Sequence, residues 1–142
     1  MRIIKHVTPV LFSAVLFLCS AAVALQDVPQ TFTFDGRAYA NAAATNPLLD
    51  VIALRIQILN QAQDCILYEE LQSINTSSTD GNFTIQVGSV IGSAKRGPLD
   101  SGNRMSLVYS SSAGVLSGKT VASGSACTLT PMAAQVRYVR IK

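Results

Sequence analysis

The sequence predicts an all-β protein, an antiparallel β-sandwich of about seven strands preceded by a signal peptide. Three observations carry that prediction. Apolar residues recur at every second position in several short stretches. Segments rich in Gly, Pro, Asn, Asp and Ser separate those stretches at near-regular intervals, and no stretch of helical length sustains a 3.6-residue period.

Thr31-Phe32-Thr33-Phe34-Asp35 alternates polar with aromatic and opens the strand series. Residues 40–47 are small and polar, end in Pro47, and read as a loop. Val51 to Leu59 is the strongest strand. Ile52, Leu54, Ile56 and Ile58 share one face, and Arg55 and Gln57 point to the other, taken as the solvent side. Gln61 to Asp64 turns the chain into Cys65-Ile66-Leu67-Tyr68-Glu69-Glu70, the hairpin mate. A Ser/Thr-rich stretch and Gly81 precede Phe83, Ile85 and Val87, which alternate with Thr84 and Gln86 as a fourth strand. With Phe34 and the apolar face of the second strand, these residues form the expected inter-sheet core. Gly92 to Gly102, with Lys95, Arg96 and Pro98, reads as an exposed loop. Met105, Leu107 and Tyr109 suggest a fifth strand, residues 110–125 a low-information stretch holding a short strand, and Gln135 to Ile141 a final strand.

Residues 1–24 read as an export signal. Arg2, Lys5 and His6 make a basic start, Val10 to Leu18 an apolar centre, and Ala22-Val23-Ala24 a small-x-small cleavage site before Leu25. Pro9 and that exit argue against an uncleaved anchor, and Leu18 is too bulky to precede an acylated lipoprotein cysteine at Cys19. Residues 25–142 then form one β-sandwich domain, secreted, periplasmic or displayed at the cell surface, without stable membrane insertion after cleavage.

Processing removes Arg2 and Lys5, so the net charge of +3 falls to about +1, nine basic against eight acidic residues. Bulk charge therefore recruits no nucleic acid. The only histidine, His6, departs with the signal. A chain without histidine builds no Ser-His-Asp triad, Cys-His dyad or imidazole zinc site. A non-enzymatic role without cofactor or metal is the expectation. Cys19 also departs, leaving Cys65 and Cys127 as one pair. In an exported protein an even remainder favours a disulfide over two buried thiols.

Several apparent motifs do not hold. Ala113 to Thr120 resembles a phosphate-binding loop, but Ala113 stands where the motif requires glycine. Glu69 and Glu70 are consecutive strand residues on opposite faces, so they cannot flank one glycosidic bond, and they read as solvated or edge charges. The scattered aspartates write no calcium loop. The sequons at Asn75 and Asn82 read as chance matches. Tyr39, Tyr68, Tyr109 and Tyr138 have two readings, a sugar-binding platform or half-buried strand packing.

Thr31-Phe-Thr-Phe-Asp-Gly36-Arg-Ala-Tyr39, Pro47-Leu48, the long second strand, Cys65-Ile-Leu-Tyr-Glu-Glu70 and Thr79-Asp-Gly-Asn-Phe-Thr-Ile-Gln-Val-Gly88 follow one another in an order with a known counterpart. It resembles the N-terminal domain of the secreted, trimeric, tail-fibre-like surface adhesins of predatory and related gliding bacteria. Cys127-Thr-Leu-Thr-Pro131 and Arg137-Tyr-Val-Arg140 are similar to the segment closing that domain. The Thr79 to Ile85 portion is also similar to prealbumin-like sandwiches, in which an acidic-Gly-x-Phe turn enters a core strand. Both resemblances imply a β-sandwich without catalytic residues. The fibre proteins add a stalk and a receptor-binding tip, which this sequence lacks, so the resemblance implies the base or head domain.

The function expected from the sequence is fibre or adhesin assembly at the cell surface or in the periplasm, with longer fibre chains as partners. The alternative is a carbohydrate- or peptidoglycan-binding module taking surface glycans. A monomer or weak homo-oligomer is expected in isolation.

Overall fold

The computed structural model describes residues 30–142, and the predicted signal peptide of residues 1–24, with its cleavage site, His6 and Cys19, lies outside them. Among the described residues there are seven strands: β1 (Phe32–Arg37), β2 (Val51–Leu59), β3 (Cys65–Asn75), β4 (Asn82–Val87), β5 (Leu116–Thr120), β6 (Ala126–Leu129) and β7 (Tyr138–Ile141). They form two antiparallel sheets, a two-stranded β1-β4 ribbon and a five-stranded sheet in the order β6-β5-β3-β2-β7. The architecture is the expected all-β sandwich.

The hairpin β2–β3 is its backbone, paired from Val51↔Asn75 to Ile58↔Tyr68, with a bulge before Leu59↔Ile66. Its two-residue alternation sets one face against the small sheet. Leu54, Ile56, Ile58, Ile85 and Val87 are buried between the layers, and Phe34, Ile52 and Phe83 pack partly buried around them. Gly36 sits beneath the Phe83 ring, where a Cβ would stand 2.5 Å from Cζ. Glycine at that strand position is a packing requirement.

Two expectations are corrected. Residues 105–109 form a short helix, α1 (Met105–Tyr109), not a strand. Met105 and Val108, three residues apart, are its buried pair, whereas Leu107 and Tyr109 are exposed. Five residues are too few for a two-residue and a three-residue period to be told apart from sequence. The second correction concerns Gln57, which is buried although it lies opposite the apolar face of β2. Arg140 of β7 donates to Gln57 Oε1 from Nε and Nη2 at 2.9 and 2.6 Å, and Gln57 Nε2 donates to Glu69 Oε2 at 2.5 Å. That second face is closed by a polar layer.

Candidate functional site

The densest polar chemistry lies along the edge of β3 that faces away from β2. β5 pairs with that edge only at Cys65↔Thr120 and Ile66↔Lys119. Beyond this the strand's outward backbone groups need other partners. Asn103 Nδ2 donates to Leu67 O at 2.7 Å and to Ser117 O at 2.6 Å. Asp100 Oδ1 accepts from Glu69 N–H at 3.2 Å, Gly97 N–H donates to Glu69 O at 3.1 Å, and Leu71 N–H donates to Lys95 O at 2.7 Å. Residues 95–103 thus take the place of a strand beside β3.

Arg96 fastens this segment. Its side chain is only 6% exposed. Nη1 bonds Asp100 Oδ1 at 2.6 Å, Nη2 donates to Asn103 O at 2.7 Å, and Nε donates to Ser89 O at 3.1 Å. The guanidinium carbon stands 3.9 Å from the centroid of the Tyr68 ring, a cation–π contact made by a largely buried side chain. The expected exposed loop is therefore corrected at Arg96. A planar cation with several fixed donors can tie a loop to a sheet edge only if it enters the protein.

Glu69 and Glu70 are fully buried, not solvated or edge charges. They point to opposite faces as strand geometry requires, but both faces are covered. Glu69 Oε1 accepts from Leu99 N–H at 3.0 Å, and its other oxygen takes the Gln57 amide. Glu70 Oε2 accepts from the Tyr68 hydroxyl and from Gly88 and Ser89 N–H, each amide at 3.1 Å, while Oε1 accepts from Gln72 Nε2 at 2.6 Å. Burial alone would raise the Glu70 pKa; the Tyr68 hydroxyl, the two amides and Gln72 outweigh it and hold the carboxyl below its ordinary value. Burial, reinforced by the hydrogen bond to Glu70, pushes the Tyr68 phenol up to about 12.

Of the four tyrosines, Tyr39, Tyr109 and Tyr138 are exposed and Tyr68 is not. Tyr68 is fully buried beneath Arg96 and belongs to no platform. Tyr109 packs edge-on against Phe32 at the start of β1, with ring centroids 6.5 Å apart. Tyr39 lies past the other end of that strand, roughly 20 Å away at strand rise, beside Arg37, whose guanidinium carbon is 5.5 Å from the ring centroid. Tyr138 opens β7 opposite Leu59.

Cys65 and Cys127 form a disulfide, with Cα atoms 6.1 Å apart. It links β3 to β6 across β5, and Gly118 lies against both sulfurs with no room for a Cβ. The stretch that imitates a phosphate-binding loop is in part strand β5, and its second glycine lies against this bridge. A cleft of about 550 Å³ opens between the turn after β4 and α1, lined by Gly88, Ser89, Ile91, Arg96, Arg104 and Met105. Ser89 and Arg96 on its wall also belong to the β3 seal.

The remaining exposed features are strand edges. Among the described residues, β6 pairs only with β5, β7 only with β2, and β1 only with β4. Val136, Tyr138 and Val139 lie exposed along the chain at β7. Sequence reasoning missed the role of residues 95–103 because it depends on contacts with a strand some 30 residues earlier. The one available signal was Glu69-Glu70 within an otherwise apolar strand, since a central strand holds carboxylates only when something is built to receive them. No family model, curated protein or solved structure matches the chain.

Proposed function

We propose that the protein is an exported, non-enzymatic β-sandwich domain that acts in fibre or adhesin assembly at the cell surface or in the periplasm. The observation that carries this reading is the open edge of β7 beside exposed Val136, Tyr138 and Val139. Arg55 and Lys142 exchange both backbone hydrogen bonds, at 2.9 and 3.0 Å. Antiparallel alternation then turns the N–H and C=O of Val139 and Ile141 toward the unpaired side. An added strand from a longer fibre chain finds donors, acceptors and apolar contact there, the usual terms of strand addition. Arg137, Arg140 and Lys142 add positive charge that discourages indiscriminate pairing.

Two further features support the reading. The carboxylates of Glu69 and Glu70 are engaged in holding the fold, and the disulfide suits an oxidising compartment. Affinity capture from envelope preparations of the native cell is the test. Longer fibre chains are expected to co-purify, with no signal on arrays of glycans and peptidoglycan fragments. Array binding without captured fibre chains would replace this reading with the carbohydrate-binding one.

A further inference from the structure

The open edge of β1 is longer than those of β6 and β7 and differs from them in charge pattern. Ala38 N–H donates to Gly81 O at 2.8 Å, and Ala38 O accepts from Leu48 N–H at 2.9 Å. Both groups of Ala38 therefore point toward β4 and the segment that continues it. Alternation along β1 turns the N–H and C=O of Thr33, Asp35, Arg37 and Tyr39 to the opposite side. Among the described residues none of these backbone groups has a hydrogen-bond partner. Their side chains are exposed on the polar face of the ribbon, and Phe34 and Gly36 point inward.

We infer that this edge pairs with the same edge of a second copy of the chain, forming a continuous β4-β1-β1-β4 sheet about a two-fold axis at Gly36. The proposal rests on the assembly reading above and names a contact within it. Charge fixes the register. An antiparallel pairing centred on Asp35 would set that carboxylate against its own copy. Centring on Gly36 sets Asp35 opposite Arg37 of the partner copy twice, once on each side of the axis, and Thr33 opposite Tyr39. All of these are residues with outward backbone groups, so the register satisfies the ladder and the charges together.

Gly36 at the axis occupies the non-hydrogen-bonded site, where two strands approach most closely, about 4.5 Å between Cα atoms. It has no Cβ to obstruct that approach. Its neighbours across the axis are Phe34 and the small Ala38. Arg37 already bonds Asp80 and lies beside Tyr39, so its guanidinium is held on the outer face. Asp35 accepts from Thr84 Oγ1 through Oδ1 at 2.6 Å, and its other oxygen has no partner among the described residues.

Sedimentation of the mature chain across a concentration series tests the proposal. A reversible dimer is expected. Asp35→Arg and Arg37→Asp should each weaken it by about tenfold or more, because each sets like charges opposite one another. The double variant D35R/R37D should restore it to within a few-fold of the starting value. Hydrogen exchange on the unaltered chain gives a reading that no misfolded variant can obscure. The Thr33, Asp35, Arg37 and Tyr39 amides should gain protection only at concentrations where the dimer forms. A chain that stays monomeric throughout, a dimer indifferent to both reversals, or a dimer without protection at those amides would overturn the proposal. None of these results touches capture of longer fibre chains, which tests the assembly reading separately.

Discussion

β3 and β1 both carry an edge that no full-length neighbouring strand covers, and the molecule treats the two edges differently. Along β3, residues 95–103 supply Asn103, Asp100, Gly97 and Lys95 to the outward backbone groups, and Arg96 fixes the segment through three hydrogen bonds and the Tyr68 ring. Along β1, Thr33, Asp35, Arg37 and Tyr39 meet no such segment among the described residues. The difference follows burial. β3 lies at the centre of the larger sheet, where an unpaired amide would cost about 1–3 kcal/mol. β1 lies at the surface, where water or another chain can serve. Buried charge in this protein seals one edge, and exposed charge lines another that is left open among the described residues.

The strongest way to break that comparison is to open the seal. Arg96→Ala removes the cation from Asp100, whose side chain is only 8% exposed, and leaves Asn103 O and Ser89 O without a donor. Breaking a buried pair from one side costs about 3–5 kcal/mol, which urea titration would read as a lower midpoint. Reducing the Cys65–Cys127 bridge acts on the same edge from its other end. The closed loop spans 62 residues and in the chain-entropy model contributes about 4 kcal/mol. β5 holds β3 through only two residue pairs, Cys65↔Thr120 and Ile66↔Lys119. Hydrogen exchange after reduction should therefore show β5 and β6 losing protection before β2 and β3.

Titration sharpens the comparison from both ends of the pH scale. Tyr68 has a folded pKa of about 12 against an ordinary 10.0. A raised pKa gives stability that is fully present below pH 10 and is lost as pH rises through 12, about 3 kcal/mol in all. Glu70 is held below its ordinary 4.5. A depressed pKa gives stability present above that value and lost as pH falls through the lower, folded one. Thermal melts should be level across neutral pH and fall at both extremes. Tyr68→Phe should lessen the alkaline fall, leaving the part due to Tyr109, whose phenol pKa burial also raises. It should lessen the acidic fall too, because the hydroxyl is one of the donors that hold the Glu70 pKa down.

The hairpin and the inter-sheet core were legible because their pattern is local. Ile52 to Ile58 alternates over enough residues to fix both strand and face, and Phe83 to Val87 repeats the pattern after a Gly turn. The seal was not legible. Arg96, Asp100 and Asn103 lie in a segment with no period; Asp100 and Asn103 bond groups of β3 31 and 36 residues away, and Arg96 lies over Tyr68 of the same strand. Gln57 was misplaced for a related reason. Alternation identifies two faces, but whether the second meets water depends on what packs over it. Here Arg140 arrives from the far end of the chain. Met105 to Tyr109 failed because the segment is short: Met105, Leu107 and Tyr109 alternate, but Val108 is apolar too, and it is Met105 and Val108, three residues apart, that the helix buries. Tyr68 shows the same limit among the candidate binding residues, since only the fold reveals that Arg96 lies over its ring.

A matched pair of prolines compares the two edges most directly. Proline removes an N–H and is tolerated in a sheet where that N–H faces away from the ladder. At Leu71 the N–H donates to Lys95 O at 2.7 Å, so Leu71→Pro removes a bond of the seal and should cost about 1–3 kcal/mol. At Thr33 the N–H points to the open side, and Phe32↔Val87 and Phe34↔Ile85 hold the ladder on either side of it. Thr33→Pro should therefore cost about 1 kcal/mol or less when measured on dilute, monomeric protein. Phe32 lies in a strand, so it already has the extended backbone that a following proline favours. Urea titrations of the two variants at one protein concentration decide the matter. Equal losses would mean that the β1 edge is bonded within its own chain, and the distinction between a sealed and an open edge would fail.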